Sequence, residues 1–290
     1  LSLFLARTIV QPLRVLVRAA VRVRLGRDRA VEVPRLPERR DEIGLLARAV
    51  SDMASALRQR IDAVESFAAD VAHEIKNPLA SLRSALESMD KVEDAGLRRQ
   101  LAAIAAHDVR RIDRLITEIA DASRIDAELS RATFERIDMA LLVEGLVDAR
   151  RQTGVDRDCH IAVRREGTDF AVAGVSARLE RVIGNLLDNA VSFSPPGGEI
   201  VVWILRDFGR VEISIADSGP GIPAQSRDKV FERFHSLRPE DEDFGSHSGL
   251  GLAIARTIVE AHDGTLSAED RPDGKSGACL VLVLPAWGPA

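Results

Sequence analysis

The 290-residue chain has no tyrosine, two cysteines and only 4% aromatic residues. A protein this poor in aromatic rings lacks the stacking platforms that single-stranded nucleic acids need, so direct nucleic-acid binding is not expected. Cys159 and Cys279 are too few for a disulfide framework or a cysteine metal cluster, and fit a reducing cytoplasm. Long apolar runs are missing too. The opening Leu1-Ser2-Leu3-Phe4-Leu5-Ala6 is far shorter than the roughly 20 apolar residues that span a bilayer. There is no internal repeat and no low-complexity tract. What is present is 46% hydrophobic and 29% charged residues, which excludes a disordered chain and leaves Leu, Ile, Val and Ala to build the cores. The length leaves room for about two folded domains and their connections.

The net charge of −5 hides an uneven distribution: residues 1–40 carry +7 and residues 41–290 carry −12. An arginine-rich stretch directly after an apolar opening fits the cytoplasmic flank of a membrane span. Residues 1–6 are therefore read as the end of a transmembrane helix. The absence of an initiator methionine points to a fragment. Residues 7–25 place Ile9, Val10, Leu13, Leu16, Val17, Ala20 and Val21 at spacings of three and four, which predicts an amphipathic helix. A connector with Gly26, Pro34 and Pro37 follows, then Asp41-Glu42-Ile43-Gly44 and a second periodic run through Leu45, Leu46, Ala49, Met53, Ala56 and Leu57. With Pro12 in the first helix, this arrangement over residues 7–60 resembles a HAMP linker, a parallel four-helix relay of membrane receptors.

Spacings of three and four continue through Ile61, Val64, Ala68, Val71, Ile75, Leu79, Leu82, Leu86 and Met89. A helix so patterned needs a partner. Asp90 to Gly96 reads as a turn, and Leu97, Leu101, Ile104, Asp108, Ile112, Leu115, Ile119 and Ala122 form a return helix. Two helices with one apolar seam most simply become stable by dimerising into a four-helix bundle. After about Ser123 the pattern changes. β-branched runs at 159–163, 170–173, 200–205, 211–216 and 278–284 alternate with helical segments near 138–151, 176–193 and 250–262, which predicts one α/β domain.

His73 lies on the first long helix, turned about 200° from Val71 and Ile75, so it should project into solvent. Its neighbours give it chemistry. Glu74 can accept a hydrogen bond from one ring nitrogen, leaving the other as a nucleophile. Asn77, one turn on, can orient a water. Pro78 removes a helix hydrogen bond at a cost of roughly 3 kcal/mol and should kink the helix beside His73. His107, His160, His235, His247 and His262 lack such neighbours and are assigned no chemistry. The segment His73-Glu74-Ile75-Lys76-Asn77-Pro78-Leu79 resembles the H-box of sensor histidine kinases. The resemblance implies a phosphoacceptor His73 reacting through Nε2, Glu74 as general base, and Asn77 assisting dephosphorylation of a partner regulator.

Four further segments follow in that family's order. Asn185 and Asn189 stand one turn apart on a helix, and their neutral oxygens suit a Mg²⁺ ion that already carries phosphate oxygens and waters. Resemblance to the N-box makes Asn189 the primary Mg²⁺ ligand and Asn185 its support. The basic residue often found three positions later in the family is Ser192 here. Val211, Ile213 and Ile215 alternate inward, and the next inward position is Asp217, a carboxylate that demands a donor. Asp217-Ser218-Gly219-Pro220-Gly221 resembles the G1 box. There the aspartate accepts from the adenine amino group, while Gly219 and Gly221 let the backbone approach the base. Phe231-Glu232-Arg233-Phe234 resembles the F-box, with Phe231 and Phe234 at the nucleotide, and Gly249-Leu250-Gly251-Leu252 the G2 box. Gly249, Leu250 and Gly251 open a helix whose free amides and positive end suit triphosphate. The polar residues 224–248, acidic at Glu240–Asp243 and bearing Gly245, fit a lid over ATP.

The resemblance implies a multidomain protein. It comprises an all-α HAMP region (7–60), a dimerising phosphotransfer hairpin (61–125), and a two-layer α/β sandwich of the Bergerat or GHKL type (126–290), joined through a linker near 123–134. ATP and Mg²⁺ would serve autophosphorylation of His73. The phosphoryl group would pass to an aspartate on a separate response regulator, since too few residues follow Pro285 for a receiver domain. Homodimerisation through hairpin and HAMP, and residence as the cytoplasmic portion of a bacterial inner-membrane protein, are implied in the same way. Arg-Leu-Pro before residue 41, Phe-Ala-Ala-Asp-Val-Ala-His and Ser-Phe-Ser-Pro-Pro-Gly-Gly are similar to the ChvG-type kinases of alphaproteobacteria, implying a sensor of acid or envelope signals. Two alternatives share part of the pattern. GHKL ATPases and anti-sigma serine kinases have the nucleotide boxes without the His73 helix, and a signalling scaffold would bind ATP without transferring phosphate.

Overall fold

The computed structural model describes residues 6–25, 39, 41–129, 132–156, 158–235 and 249–288. The connector with Gly26, Pro34 and Pro37, most of the 1–6 segment, His247 and the run Glu240–Asp243 with Gly245 lie outside the described residues. The chain divides into two compact units, Leu1–His73 and Glu74–Ala290. Among the described residues no helix is long and apolar enough to cross a membrane.

In the first unit a π-helical turn (Ala6–Val10) leads into α1 (Gln11–Leu25), and α2 (Glu42–Met89) starts at Asp41. Asp41 explains why this helix begins where it does. Its Oδ1 accepts from Gly44 N at 3.0 Å, satisfying an otherwise orphaned first-turn amide. The Arg39 guanidinium hydrogen-bonds the same carboxylate and holds it at a pKa of about 2. Gly44 has to be small, because a Cβ there would stand 2.2 Å from the Arg39 carbonyl. The core of this unit uses small residues: Leu16 and Ala19 of α1 meet Ala47 and Ala54 of α2, with Ile43 and Val50 beside them. The apolar faces read from periodicity only partly coincide with this contact. Ile9, Val10, Val17, Val21, Leu45, Leu46, Met53 and Leu57 are exposed in the single chain.

α2 runs through Pro78, where a kink was expected, without ending, and Pro78 is buried. The turn is also shorter than expected. Asp94 caps α3 (Ala95–Leu129) by accepting from Leu97 N at 2.7 Å, so Ala95 and Gly96 already belong to the helix. α3 also continues to Leu129, through part of the linker placed near 123–134. Ala85, Ala105, Asp108 and Leu115 are buried in the hairpin, whereas Leu79, Leu86, Leu97 and Ile104 of the seam stay about half exposed.

The α/β domain follows as β1 (Glu135–Asp138), α4 (Met139–Thr153), β2 (His160–Glu166), β3 (Ala171–Gly174), α5 (Ser176–Phe193), β4 (Glu199–Asp207), β5 (Arg210–Ala216), α6 (Gly251–Glu260), β6 (Thr265–Asp270) and β7 (Ala278–Pro285). Single 3₁₀ turns lie at Ala224–Ser226 and Lys229–Phe231. The main sheet has the order β2-β4-β5-β7-β6, parallel between β2 and β4 and antiparallel elsewhere; β1 and β3 form a small antiparallel pair. Register aligns Val202 with Ile215, Ile204 with Ile213, and Ile213 with Leu282. These side chains are fully buried under the helices. Two strands escape the sequence reading. β1 is four residues long and mostly polar, and β6 is an edge strand with only Leu266 and Ala268 buried. On the opposite sheet face Trp203, Cys279 and Val281 cluster, and burial pushes the Cys279 thiol up to about 12.

His262 behaves as a core histidine. Its ring stacks on Phe134 with centroids 4.8 Å apart, Nε2 accepts from Val175 N at 3.1 Å, and Nδ1 lies 2.7 Å from Ile258 O. These partners select the neutral tautomer with hydrogen on Nδ1, since a proton on Nε2 would face an amide hydrogen. Burial lowers the His262 pKa below its ordinary value. With the folded pKa depressed, the unfolded chain takes up the proton first, so stability present above about pH 6.5 is lost as the pH falls. Urea denaturation at about pH 7.5 and about pH 5.5 should show this loss in the wild type and a flatter dependence in His262→Gln.

Candidate functional site

Helix α5 is amphipathic by residue choice: Leu179, Val182, Ile183, Leu186, Leu187, Ala190 and Val191 are buried, which turns Asn185, Asp188 and Asn189 outward. They face a cavity of about 1110 Å³. Its other walls come from the loop after β5 (Asp217, Gly221, Ile222), the start of α6 (Gly249, Gly251, Leu252) and the β6–β7 loop (Arg271 to Ala278). Arg114 and Glu118 of α3 line it as well. Asn185 donates from Nδ2 to Gly251 O at 2.9 Å, tying α5 to the start of α6 and leaving its Oδ1 without a hydrogen bond among the described residues. Asn189 makes no side-chain hydrogen bond among the described residues, so its carboxamide oxygen is available to a ligand. Asp188 is held by Arg150, which also pairs with Asp156.

Asp217 is 3% exposed. Its Oδ1 accepts from Gly219 N at 2.8 Å and from Ala278 N at 3.0 Å. Its backbone nitrogen donates to Ala278 O and its carbonyl accepts from Arg271 Nη1 at 2.6 Å. Among the described residues no donor reaches Oδ2. Burial raises the Asp217 pKa, opposed by the Ala278 and Gly219 amides and the Arg271 charge. The result is a carboxylate with one oxygen saturated and the other left for whatever enters the cavity. Gly277 makes the site possible, for at φ +134° a Cβ would stand 1.9 Å from Asp217 O.

The Phe234 amide donates to Gly249 O at 3.0 Å, joining the F-box segment to the G2 segment. Gly249 adopts φ +72° there, and a Cβ would lie 2.8 Å from Phe234 Cα. Among the described residues no side chain caps α6, so none of them satisfies its first-turn amides from a cap position.

Six sequence-derived residues therefore line one cavity: Asn185, Asn189, Asp217, Gly221, Gly249 and Gly251. Four others support it from behind. Gly219 shapes the turn, Leu250 is buried, Phe231 is buried beneath the Arg256 guanidinium at 5.4 Å, and Phe234 contributes its backbone, while Val230 and His235 stand in the wall. On α2, His73 and Asn77 are exposed as the periodicity requires. The Glu74 carboxylate, expected to accept from its neighbour's ring, is instead taken by Arg111 Nη2 of α3 at 3.1 Å. Consecutive helix residues point about 100° apart, which turns Glu74 toward the hairpin interior. Sequence reasoning missed the entire β6–β7 wall. Its only signal was Asp273-Gly274-Lys275-Ser276-Gly277, a glycine-rich turn before a strand.

These features match known families in chain order. Residues 4–59 match the HAMP domain, 63–128 the His Kinase A (phospho-acceptor) domain, and 174–287 the histidine kinase-, DNA gyrase B- and HSP90-like ATPases. The α/β unit is thus an ATPase domain of that last fold. The chain belongs to the sensor histidine kinases. It is 47% identical over 296 residues to sensor protein ChvG of Agrobacterium fabrum, covering 99% of this chain and 50% of that protein. To sensor protein ChvG of Rhizobium meliloti it is 48% identical over 298 residues, covering 99% and 52%. The chain spans about half the length of these curated relatives. A crystal structure of histidine kinase ThkA in complex with response regulator protein TrrA shares the fold, with a TM-score of 0.63 at 23% identity over 79% of this chain and 63% of that one.

Because Gly277 leaves no room for a side chain, Gly277→Ala should destabilise the protein by about 1–3 kcal/mol, read as a lower urea midpoint.

Proposed function

We propose that this chain is the cytoplasmic kinase portion of an inner-membrane sensor that phosphorylates its own His73 from ATP and passes the phosphoryl group to an aspartate of a response regulator. The observation that carries the reading is the cavity on which the open Asp217 oxygen, the Asn189 carboxamide and the uncapped start of α6 converge. It lies in a chain whose exposed His73 opens a His-Glu-Ile-Lys-Asn-Pro segment. The proposed domain bounds are 7–60 for the HAMP linker, 61–125 for the phosphotransfer hairpin and 126–290 for the ATP-binding domain, with residues 1–6 closing a membrane span.

Each residue has a task. Asp217 Oδ2 accepts from the adenine amino group, with Gly219 and Gly221 keeping the base close to the backbone. Gly249, Leu250 and Gly251 bring the backbone at the start of α6, with its positive dipole end, to the triphosphate. The carboxamides of Asn189 and Asn185 suit a Mg²⁺ ion shared with the phosphates: Asn189 is uncommitted, and Asn185 keeps Oδ1 after its bond to Gly251. When bound, Mg²⁺ supplies charge neutralisation at the phosphates. His73 Nε2 then attacks the γ-phosphorus in line, the bond to the β-phosphate oxygen breaks, ADP leaves with that electron pair, and Glu74 takes the proton from Nδ1. To do so Glu74 exchanges its Arg111 partner for His73. Asn77 positions the water that hydrolyses the phosphorylated regulator, giving the protein a phosphatase activity as well.

The exposed apolar rows of α1, α2 and α3 support a homodimer in which two hairpins form a four-helix bundle and the HAMP helices a second one. The basic flank within residues 1–40 supports the membrane assignment.

Two measurements test the reading. With Mg²⁺ and γ-labelled ATP, the purified chain should acquire acid-labile, base-stable label that is absent in His73→Gln. Label persisting in that variant would move the acceptor elsewhere, and ATP binding without label would return the scaffold reading. Separately, Asn77→Ala should slow dephosphorylation of the cognate regulator at least tenfold while leaving autophosphorylation near wild type; unchanged dephosphorylation would remove the phosphatase role.

A further inference from the structure

The Asp217 carbonyl poses a problem that the strand order does not solve. β5 ends at Ala216, and the last rung across to β7 is the pair of bonds between Asp217 and Ala278: Asp217 N to Ala278 O at 2.9 Å and Ala278 N to Asp217 Oδ1 at 3.0 Å. Beyond that rung the Asp217 carbonyl lies against Gly277, 1.9 Å from where a Cβ would stand, and among the described residues no backbone amide donates to it. The donor comes from Arg271, at the end of β6. Its side chain is 1% exposed, and Nη1 donates to that carbonyl at 2.6 Å. Its remaining reach is fixed by Asp273, which accepts from Nε at 2.9 Å and from Nη2 at 2.7 Å. A two-pronged carboxylate contact holds a planar guanidinium in one orientation, which an ammonium cannot match. Asp273 is kept ionised for this task, its pKa held at about 2 chiefly by the bonds from Arg271. Ser276, in the same loop, braces the next turn by donating to Gly219 O at 3.1 Å.

We propose that Arg271, locked by Asp273, is a positioning residue for nucleotide-base selectivity: it fixes the main chain of Asp217 so that Oδ2 meets an amino donor and rejects a carbonyl acceptor. The inference rests on the reading of Asp217 as the adenine acceptor. Adenine presents an amino group where guanine presents an oxygen, so a fixed carboxylate oxygen prefers the first and repels the second. The fixing depends on the backbone. Oδ1 is anchored to the Gly219 and Ala278 amides, and release of the Asp217 carbonyl would let the turn shift and carry Oδ2 with it. The buried cation also favours the acceptor-only, ionised form of Asp217 against the desolvation that disfavours it.

The test compares ATP and GTP affinities, by calorimetry with Mg²⁺, for the 290-residue chain and for Arg271→Lys, Arg271→Gln and Asp273→Asn. The wild type should prefer ATP by at least a hundredfold. Arg271→Gln should lose at least tenfold of that preference, and Arg271→Lys, which keeps the charge without the two-pronged lock, should recover only part of it. Asp273→Asn, a change at a partly exposed side chain, should reduce the preference several-fold and serves as the readout if Arg271→Gln fails to fold. General loosening of the domain would weaken both nucleotides alike and leave their ratio unchanged. A wild-type preference kept intact by folded Arg271→Gln, or by Asp273→Asn where the former is unfolded, overturns the role of Arg271 alone. A wild type that does not distinguish ATP from GTP removes the adenine reading of Asp217, and the inference with it.

Discussion

The nucleotide site depends on one buried carboxylate that is only half satisfied. An ionised group at 3% exposure is costly unless it is hydrogen-bonded, and two backbone amides take Oδ1 of Asp217. The surrounding features follow from that arrangement. Gly277 lacks a side chain because the Asp217 carbonyl occupies the space, Gly219 turns so that its amide reaches Oδ1, and Arg271 is buried because that carbonyl has no backbone donor. Under the proposed function the unsatisfied Oδ2 is the end that meets the base. A fully satisfied aspartate would be more stable and would recognise nothing.

The helical part obeys a different constraint. In α1 and the first half of α2 most of the buried contact residues are alanines, Ala19, Ala47 and Ala54 beside Leu16, while Val17, Leu46, Met53 and Leu57 face outward. Alanine contacts bury little area, so a pair of helices joined this way gains little by itself. The hairpin is similar: Ala85 and Ala105 are buried with Leu115, while Leu79, Leu86 and Ile104 are half exposed. Exposed leucine and isoleucine repeating at helical spacing are the raw material of a bundle core, which is the physical basis of the proposed homodimer.

Much of this was legible in the sequence because it rests on periodicity. The exposure of His73 follows from its angle to Val71 and Ile75, and the inward direction of Asp217 follows from alternation through Val211, Ile213 and Ile215. Long helices and central strands carry many repeats of their pattern. What was lost carries few: β1 offers four residues, and β6 has two buried side chains and a solvent edge. Arg271 was invisible for another reason. A buried arginine reads in sequence as a surface arginine, and only the fold shows the bare carbonyl that brings it inside. The Glu74–Arg111 pair is similar, joining residues 37 apart through a hairpin whose register no local pattern sets. Capping chemistry moved boundaries by a residue or two, as Asp94 did at the start of α3.

Ser192 bears on how the rest of the cavity meets negative charge. Where the family often carries a base after the N-box, this chain has a hydroxyl, so phosphate charge must be met otherwise. Two cations of the β6–β7 wall are committed near the Asp217 end: Arg271 to Asp217 and Asp273, and Lys275 to Glu199 at 3.3 Å. At the other end the start of α6 has no side-chain cap among the described residues, and a ten-residue helix directs its positive end and first-turn amides there. Asn185 ties that helix end to α5, so the amides and the Asn189 carboxamide keep a fixed spacing. Under the proposed function, backbone dipoles and a Mg²⁺ ion that Asn189 and Asn185 would hold meet much of a triphosphate's charge, with Arg114 of α3 also in the cavity wall. Such a site gains little from free Mg²⁺ alone, consistent with neutral carboxamides, where carboxylates would have bound the ion without ATP.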